Sequence, residues 1–262
     1  MYYFAANVTQ LYPNMPLAAR LKRAADAGFA AVEILFPQRE DEAELLDLKR
    51  RYGLDVALFD LDTDDQYPRG QLTAASDHPF FERLDEALIL ARKLDCKRLN
   101  ALVGVTRSDI GREAQADVAV ERLRRAAPIA AAEGVTLLIE ALNSHLNPTY
   151  FLHRSADGIR IIREVDHPNV KFQYDYFHMQ IMEGNLIETV QANLPHIGHF
   201  QVADVPGRHE PGTGEINYAN VLADLAATDY AGYVGLEYVP KSPDIDEFAW
   251  LPRSERVRRM PR

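Results

Sequence analysis

At 262 residues, 47% of them hydrophobic and 26% charged, the chain can bury a large core and has about the length of one (β/α)8 barrel. A formal net charge of −10 with no Lys/Arg stripe argues against nucleic acid as a partner. No apolar run approaches the ~18 residues of a membrane span, MYYFAANVTQ lacks a basic, apolar leader, and Cys96, as the only cysteine, excludes an internal disulfide, so the cytoplasm is the default location.

Short β-rich runs alternate with longer amphipathic ones. Residues Tyr2–Asn7 read as a strand, and Leu17–Ala27 as a helix closed by Gly28. The strand Ala31–Leu35, the helix Glu42–Tyr52 with Gly53 after it, and the strand Asp55–Leu61 follow, then a polar loop, DTDDQYPRG. Next come the helix Phe80–Leu94, the strand Arg98–Leu102 and the long helix Glu113–Glu133 before Gly134. Cys96 sits just before an apolar run and reads as a small core residue rather than a nucleophile.

The second half keeps the rhythm. Strands are predicted at Val135–Glu140, Val170–Asp175, Ile197–Val202 and Tyr233–Glu237, with helices at Ala156–Val165, Leu186–Leu194 and Tyr218–Ala227. About eight βα units over residues 1–262 predict an α/β fold, a single (β/α)8 TIM barrel in one domain. The eighth helix is weak, because Pro252 interrupts its only candidate, Asp246–Arg259. The basic end RSERVRRMPR reads as a solvated terminus. An open doubly wound sheet would want a Gly-rich phosphate loop after the first strand, and AANVTQLYP is not one.

Barrel chemistry sits at the C-terminal ends of the strands. Here strand five ends on Glu140, strand six on Asp175 and strand eight on Glu237, while strand seven carries Gln201 and then Asp204. Each acid closes an apolar run of a parallel strand, so it faces the barrel mouth or is buried at a cost. Singly, each could cap a helix or pair with an arginine; together they point to a site. Several carboxylates in one small mouth repel one another, and a divalent cation resolves the conflict. The oxygen donors Glu140, Asp175, Gln201 and Glu237 suit Mg2+ or Mn2+ better than Zn2+. His178 lies three residues beyond Asp175. In DVPGRHEPGTGEIN, Arg208 with Gly212 and Gly214 has the composition to present a guanidinium and backbone N–H groups to an anion, or to form an ordinary turn. Asn143 has the chemistry for a substrate hydrogen bond or a turn.

These residues resemble the hydroxypyruvate isomerase branch of the xylose-isomerase-like TIM barrels. The resemblance runs over nearly the whole chain: FAANVTQLYP, GFAAVEILFP, RLNALVG, LLIEALN, QYDYFHMQIMEG, GHFQVADVPGRHEPGTGEINY and GYVGLEY. It implies Glu140, Asp175, Gln201 and Glu237 as ligands of a divalent metal, with Glu140 and Glu237 also the catalytic acid and base. It further implies a small hydroxy-oxo acid as substrate; from their places beside the strand ends, Arg208 or His178 would hold its carboxylate or a hydroxyl, with Asn143 a further candidate contact. Two departures bear on specificity. Phe59-Asp60-Leu61-Asp62 stands where similar isomerases often have an HNLP-like segment, and NSHLNPTYFL differs in detail. The shared motifs do not separate three-carbon from four-carbon oxo-acids, and they leave a homo-oligomer open. A ketose 3-epimerase on this scaffold would usually carry His where Gln201 stands. A zinc endonuclease would need histidines at several strand ends, where strands two and three offer Glu33 and Phe59. A non-catalytic sugar-acid binder would leave the paired glutamates without a purpose.

Overall fold

The computed structural model describes residues 1–242 and 246–260. Its strands are β1 (Tyr3–Asn7), β2 (Ala31–Glu33), β3 (Asp55–Asp60), β4 (Arg98–Asn100), β5 (Thr136–Glu140), β6 (Val170–Asp175), β7 (Ile197–Val202) and β8 (Tyr233–Leu236). They are parallel and form a closed barrel in chain order, with β1 pairing β8 through Tyr3↔Tyr233 and Ala6↔Leu236. The helices are α1 (Val8–Leu11), α2 (Leu17–Asp26), α3 (Glu42–Tyr52), α4 (His78–Leu94), α5 (Arg112–Ala132), α6 (Ser155–Val165), α7 (Tyr176–Met182), α8 (Leu186–Asn193), α9 (Tyr218–Ala226) and α10 (Arg253–Arg256). The expected (β/α)8 barrel is therefore the observed fold. No described helix is long and apolar enough to cross a membrane.

Local chemistry sets the element ends. Asp41 accepts the Glu44 N–H at the start of α3, and Gly53 closes that helix at φ +63°, a left-handed conformation that a side chain would disfavour. Asp175 does double duty. It ends β6, and its carboxylate accepts the Phe177 N–H as the N-cap of α7. That short helix escapes a periodicity reading because its sequence, YFHMQIM, is only about two turns long and runs straight on from the strand. It is pinned where Tyr176 stacks on Phe200 of β7, ring centroids 5.5 Å apart. Cys96 is fully buried, and burial pushes its thiol up to about 11, in keeping with a core role.

The C-terminus departs from the expected solvated end. The eighth barrel helix is reduced to the single turn α10, beginning after Pro252. Arg253 donates to the Asp26 carbonyl at 2.8 Å, Arg256 to Ala27 at 2.9 Å and Arg259 to Gly53 at 2.5 Å, so three guanidiniums cap the carbonyl ends of α2 and α3. Met260 packs against Ala5, Ala31, Ala57 and Tyr233, closing the floor of the barrel. Basic residues are useful there because helix C-termini expose unpaired carbonyls, a need that composition alone does not reveal. Pro261 and Arg262 of the sequence reading lie outside the described residues.

Candidate active site

In a parallel pair, residues in register share a face. Asn7 pairs with Glu33, Asp60 with Asn100, Glu140 with Gln173, and Asp175 with Gln201, which pairs in turn with Gly235. This places a polar layer across the C-terminal half of the barrel interior, above the small apolar floor. Glu140, at the end of β5, accepts from the amides of Asn100 and Gln173, both at 3.0 Å. The Gln173 amide also donates to the Gln201 oxygen at 2.7 Å. Glu237, just past β8, takes the Arg208 guanidinium at 2.7 Å, and the same nitrogen lies 3.5 Å from Asp175. The four strand-end groups read from the sequence thus fall into two bonded pairs, Glu140 with Gln201 through Gln173 and Asp175 with Glu237 through Arg208, brought side by side by the register of β6 with β7.

Three of them are buried carboxyl groups, Glu140 at 4% exposure, Asp175 at 1% and Glu237 at 5%. Burial, reinforced by Glu237 and Asp175, pushes the Glu140 carboxyl well above the ordinary range. Burial raises Asp175 to about 6 and Glu237 to about 8, although Arg208 pulls both down. One guanidinium does not balance three acids, and Asp60 at the end of β3 adds a fourth, raised well above its ordinary value by burial and then by Glu237. Such a set is short of positive charge.

The donors fit a divalent cation. Ligand atoms of Glu140, Asp175 and His178 lie within 4.8 Å of one another. His178 itself is a poor ligand as oriented. Its Nδ1 accepts the Asn143 backbone N–H at 2.9 Å and faces the Asn143 side-chain amide at 2.8 Å. In the neutral ring, the form favoured because burial and then Arg208 hold its pKa well below 6.5, Nε2 therefore carries the proton. That N–H faces Asp175 at 3.5 Å. His178 is a hydrogen-bond donor aimed into the site, and the remaining donors are oxygens, a hard set.

The other sequence candidates fall into place unevenly. Asn143 is fully buried, its oxygen takes the Leu146 N–H at 2.9 Å and its nitrogen faces His178, so it acts on the site through His178. Arg208 sits at φ +57°, with its guanidinium 5.1 Å over the Phe177 ring of α7. The loop amides are not offered to an anion. Gly212 and Gly214 both donate to the buried Asp204 carboxylate at 2.9 Å, and its other oxygen takes Val205 and Ile216. Asp204 is thus the organiser of the loop that carries Arg208. Gly214 is needed there, since a Cβ would stand 2.1 Å from the Val205 carbonyl.

Sequence reasoning missed Gln173, Asn100, His199 and the contribution of Glu33. The signal was present: Gln173 and His199 lie two residues before Asp175 and Gln201, hence on the same strand face. Polar residues at that spacing inside otherwise apolar strands mark the interior layer.

The chain is similar to known proteins over most of its length. A family model described as the xylose isomerase-like TIM barrel matches residues 21–255. A putative hydroxypyruvate isomerase of Danio rerio is 37% identical, the match covering 97% of this chain and 96% of that protein. A 2-oxo-tetronate isomerase of Pectobacterium atrosepticum is 36% identical over 94% of this chain and 95% of its own. A solved structure titled AP endonuclease, family 2, from Brucella melitensis superposes with a TM-score of 0.91 at 34% identity, covering 95% of this chain and 98% of that one.

Proposed function

Since the chain belongs to the xylose isomerase-like TIM barrel family and is an isomerase, we propose that it interconverts hydroxypyruvate and tartronate semialdehyde, or their four-carbon counterparts, by proton transfer between adjacent carbons. The observation that carries this reading is the convergence of Glu140, Asp175 and Glu237, buried together with a single guanidinium. Glu140, Asp175, Gln201 and Glu237 would hold Mg2+ or Mn2+, which when bound supplies positive charge where negative charge develops on adjacent substrate oxygens.

The residues divide the remaining work. One carboxylate of the Glu140/Glu237 pair takes the C3 proton to give an enediolate, the hydroxyl proton passes from the C3 oxygen to the C2 oxygen, and a carboxyl group returns a proton to C2 as the carbonyl double bond forms at C3. His178 donates its Nε2–H to a substrate oxygen. Arg208 already uses Nη2 on Glu237 and Nε on the Glu237 carbonyl, and among the described residues its Nη1 group has no hydrogen bond, leaving that edge for the substrate carboxylate. Burial of the carboxyl groups, Gln201 and His178 excludes water from the developing charge.

The direct test is a panel of three- and four-carbon hydroxy-oxo acids with Mg2+ or Mn2+, with a duplex containing an abasic site as a control. Turnover of at least one oxo-acid and an intact duplex are expected. Cleavage of the duplex with no isomerisation would replace this reading with a nuclease.

A further inference from the structure

An amide ligand has an ambiguity that a carboxylate lacks: one end accepts and the other donates, and only the oxygen can face a cation. Gln201 resolves it through contacts below the carboxylate assembly. Its nitrogen donates to Glu33 Oε2 at 3.0 Å, which turns its oxygen toward Gln173, on the Glu140 side. Glu33, the last residue of β2, is itself fully buried and fixed from both ends. Asn7 donates to Oε2 at 3.1 Å, and the Asn7 amide cannot turn over because its own oxygen caps α1 by accepting the Gln10 N–H. His199 Nε2 lies 2.6 Å from Oε1. Two strands round the barrel, beyond β1, β8 carries Gly235 where a Cβ would stand 1.9 Å from Oε1, so the strand leaves the space that the Glu33 carboxylate fills.

We propose that Glu33, held by Asn7 and His199 in the space left by Gly235, is a positioning residue that fixes which end of the Gln201 amide faces the carboxylate assembly. This rests on the reading of Gln201 as a metal ligand. Its physical content is simple: a buried carboxylate only accepts, so it selects the Gln201 nitrogen and leaves the oxygen for the cation. A residue without an acceptor at this place leaves the Gln201 nitrogen without a partner and only the Gln173 N–H, 2.7 Å from the oxygen, to hold the amide, which loosens its grip on the end that faces the metal.

The test compares Glu33→Met, which keeps length but offers no comparable acceptor, with Glu33→Gln, whose oxygen can still receive Asn7 and Gln201 while its nitrogen faces His199. Two measurements are made on metal-free protein: the side-chain amide NMR signals of Gln201, assigned through Gln201→Leu, and calorimetric titration with Mn2+. In the wild type and Glu33→Gln the Gln201 amide protons should be slow to exchange, with Mn2+ affinity within about 3-fold of each other. In Glu33→Met the protection should be lost and the affinity fall by ~10-fold or more, the lower end of the effect of losing a partner that orients a ligand. If Glu33→Met does not fold, Gly235→Ala displaces the same carboxylate and should give the same two losses. Unchanged Gln201 protection in a folded Glu33→Met or Gly235→Ala protein would overturn the proposal. Unchanged Mn2+ affinity in Gln201→Leu would instead overturn the ligand reading, and the amide signals would still decide the positioning.

Discussion

Asp175→Asn should make the metal-free protein more stable at alkaline pH while weakening its hold on metal. The carboxyl is buried at 1% exposure and its pKa is raised from 3.8 to about 6, chiefly by burial. A group raised in the folded state costs nothing below its unfolded pKa, and its penalty grows as the pH rises through its folded pKa. About two pKa units correspond to ~3 kcal/mol between the ionised and neutral forms. Shared titration with Glu140 and Glu237 and the cost of burying an amide reduce this, leaving a gain of about 1–3 kcal/mol at around pH 8. The helix cap survives, because an asparagine oxygen can still accept the Phe177 N–H. For a protein of this size the gain is a rise in melting temperature of roughly 2–10 °C, shrinking toward zero by about pH 4. Scanning calorimetry of chelator-treated wild type and variant at both pH values measures it. Saturating Mn2+ should reverse the order, since the wild type gains more from binding. A metal-free Asp175→Asn that melts at or below the wild type at alkaline pH, with its fold intact, would refute the reasoning that these acids are uncompensated.

Other expectations follow from the same geometry. Glu237, raised to about 8 by burial, should make the metal-free wild type progressively less stable from about pH 4.5 to about pH 8, and added Mn2+ should flatten that profile in thermal melts. Arg208→Ala removes a guanidinium 2.7 Å from Glu237 and should lower kcat/KM by roughly 10–100-fold, the ~1.5–3 kcal/mol of a charged hydrogen bond, mainly through KM; unchanged kinetics would make Arg208 a partner of the carboxylates alone. His178→Phe should lower kcat with little change in Mn2+ affinity, because its Nε2–H faces the site as a donor; a large loss of Mn2+ affinity in titration would make it a ligand instead.

The barrel and its principal acids were legible because each lies at a boundary. Glu140, Asp175 and Glu237 close apolar runs, and Gly53 marks the helix end at which the chain turns back. The layer beneath them was not legible in the same way. Gln173 and His199 sit inside runs that read as continuous strand, and their partners, Glu140 and Gln201 for the first and Glu33 for the second, come from other strands. Only closure of the barrel, which fixes the register, brings His199 to Glu33 across 166 residues. The loop after β7 stayed open between an anion cradle and an ordinary turn for a related reason. Its glycines signal exposed N–H groups, but the buried Asp204 that consumes them lies just past the strand and resembles one more site acid. The arginines of the tail have no local pattern at all, because their partners are carbonyls at the ends of α2 and α3.

The reading of Glu140 and Glu237 as acid and base is tested most directly by the route of the hydrogen. A carboxyl group that has taken a proton can exchange it with solvent before returning it, whereas a hydride passed between carbons never meets water. Hydroxypyruvate is converted in D2O with Mn2+, the reaction is stopped early, and enzyme-free controls are subtracted. Deuterium at C2 of tartronate semialdehyde is the expected result, with Glu140→Gln and Glu237→Gln inactive even at metal contents equal to that of the wild type. Full turnover with no deuterium in the product would contradict a solvent-exchanging pair of glutamates and point to direct transfer between the carbons.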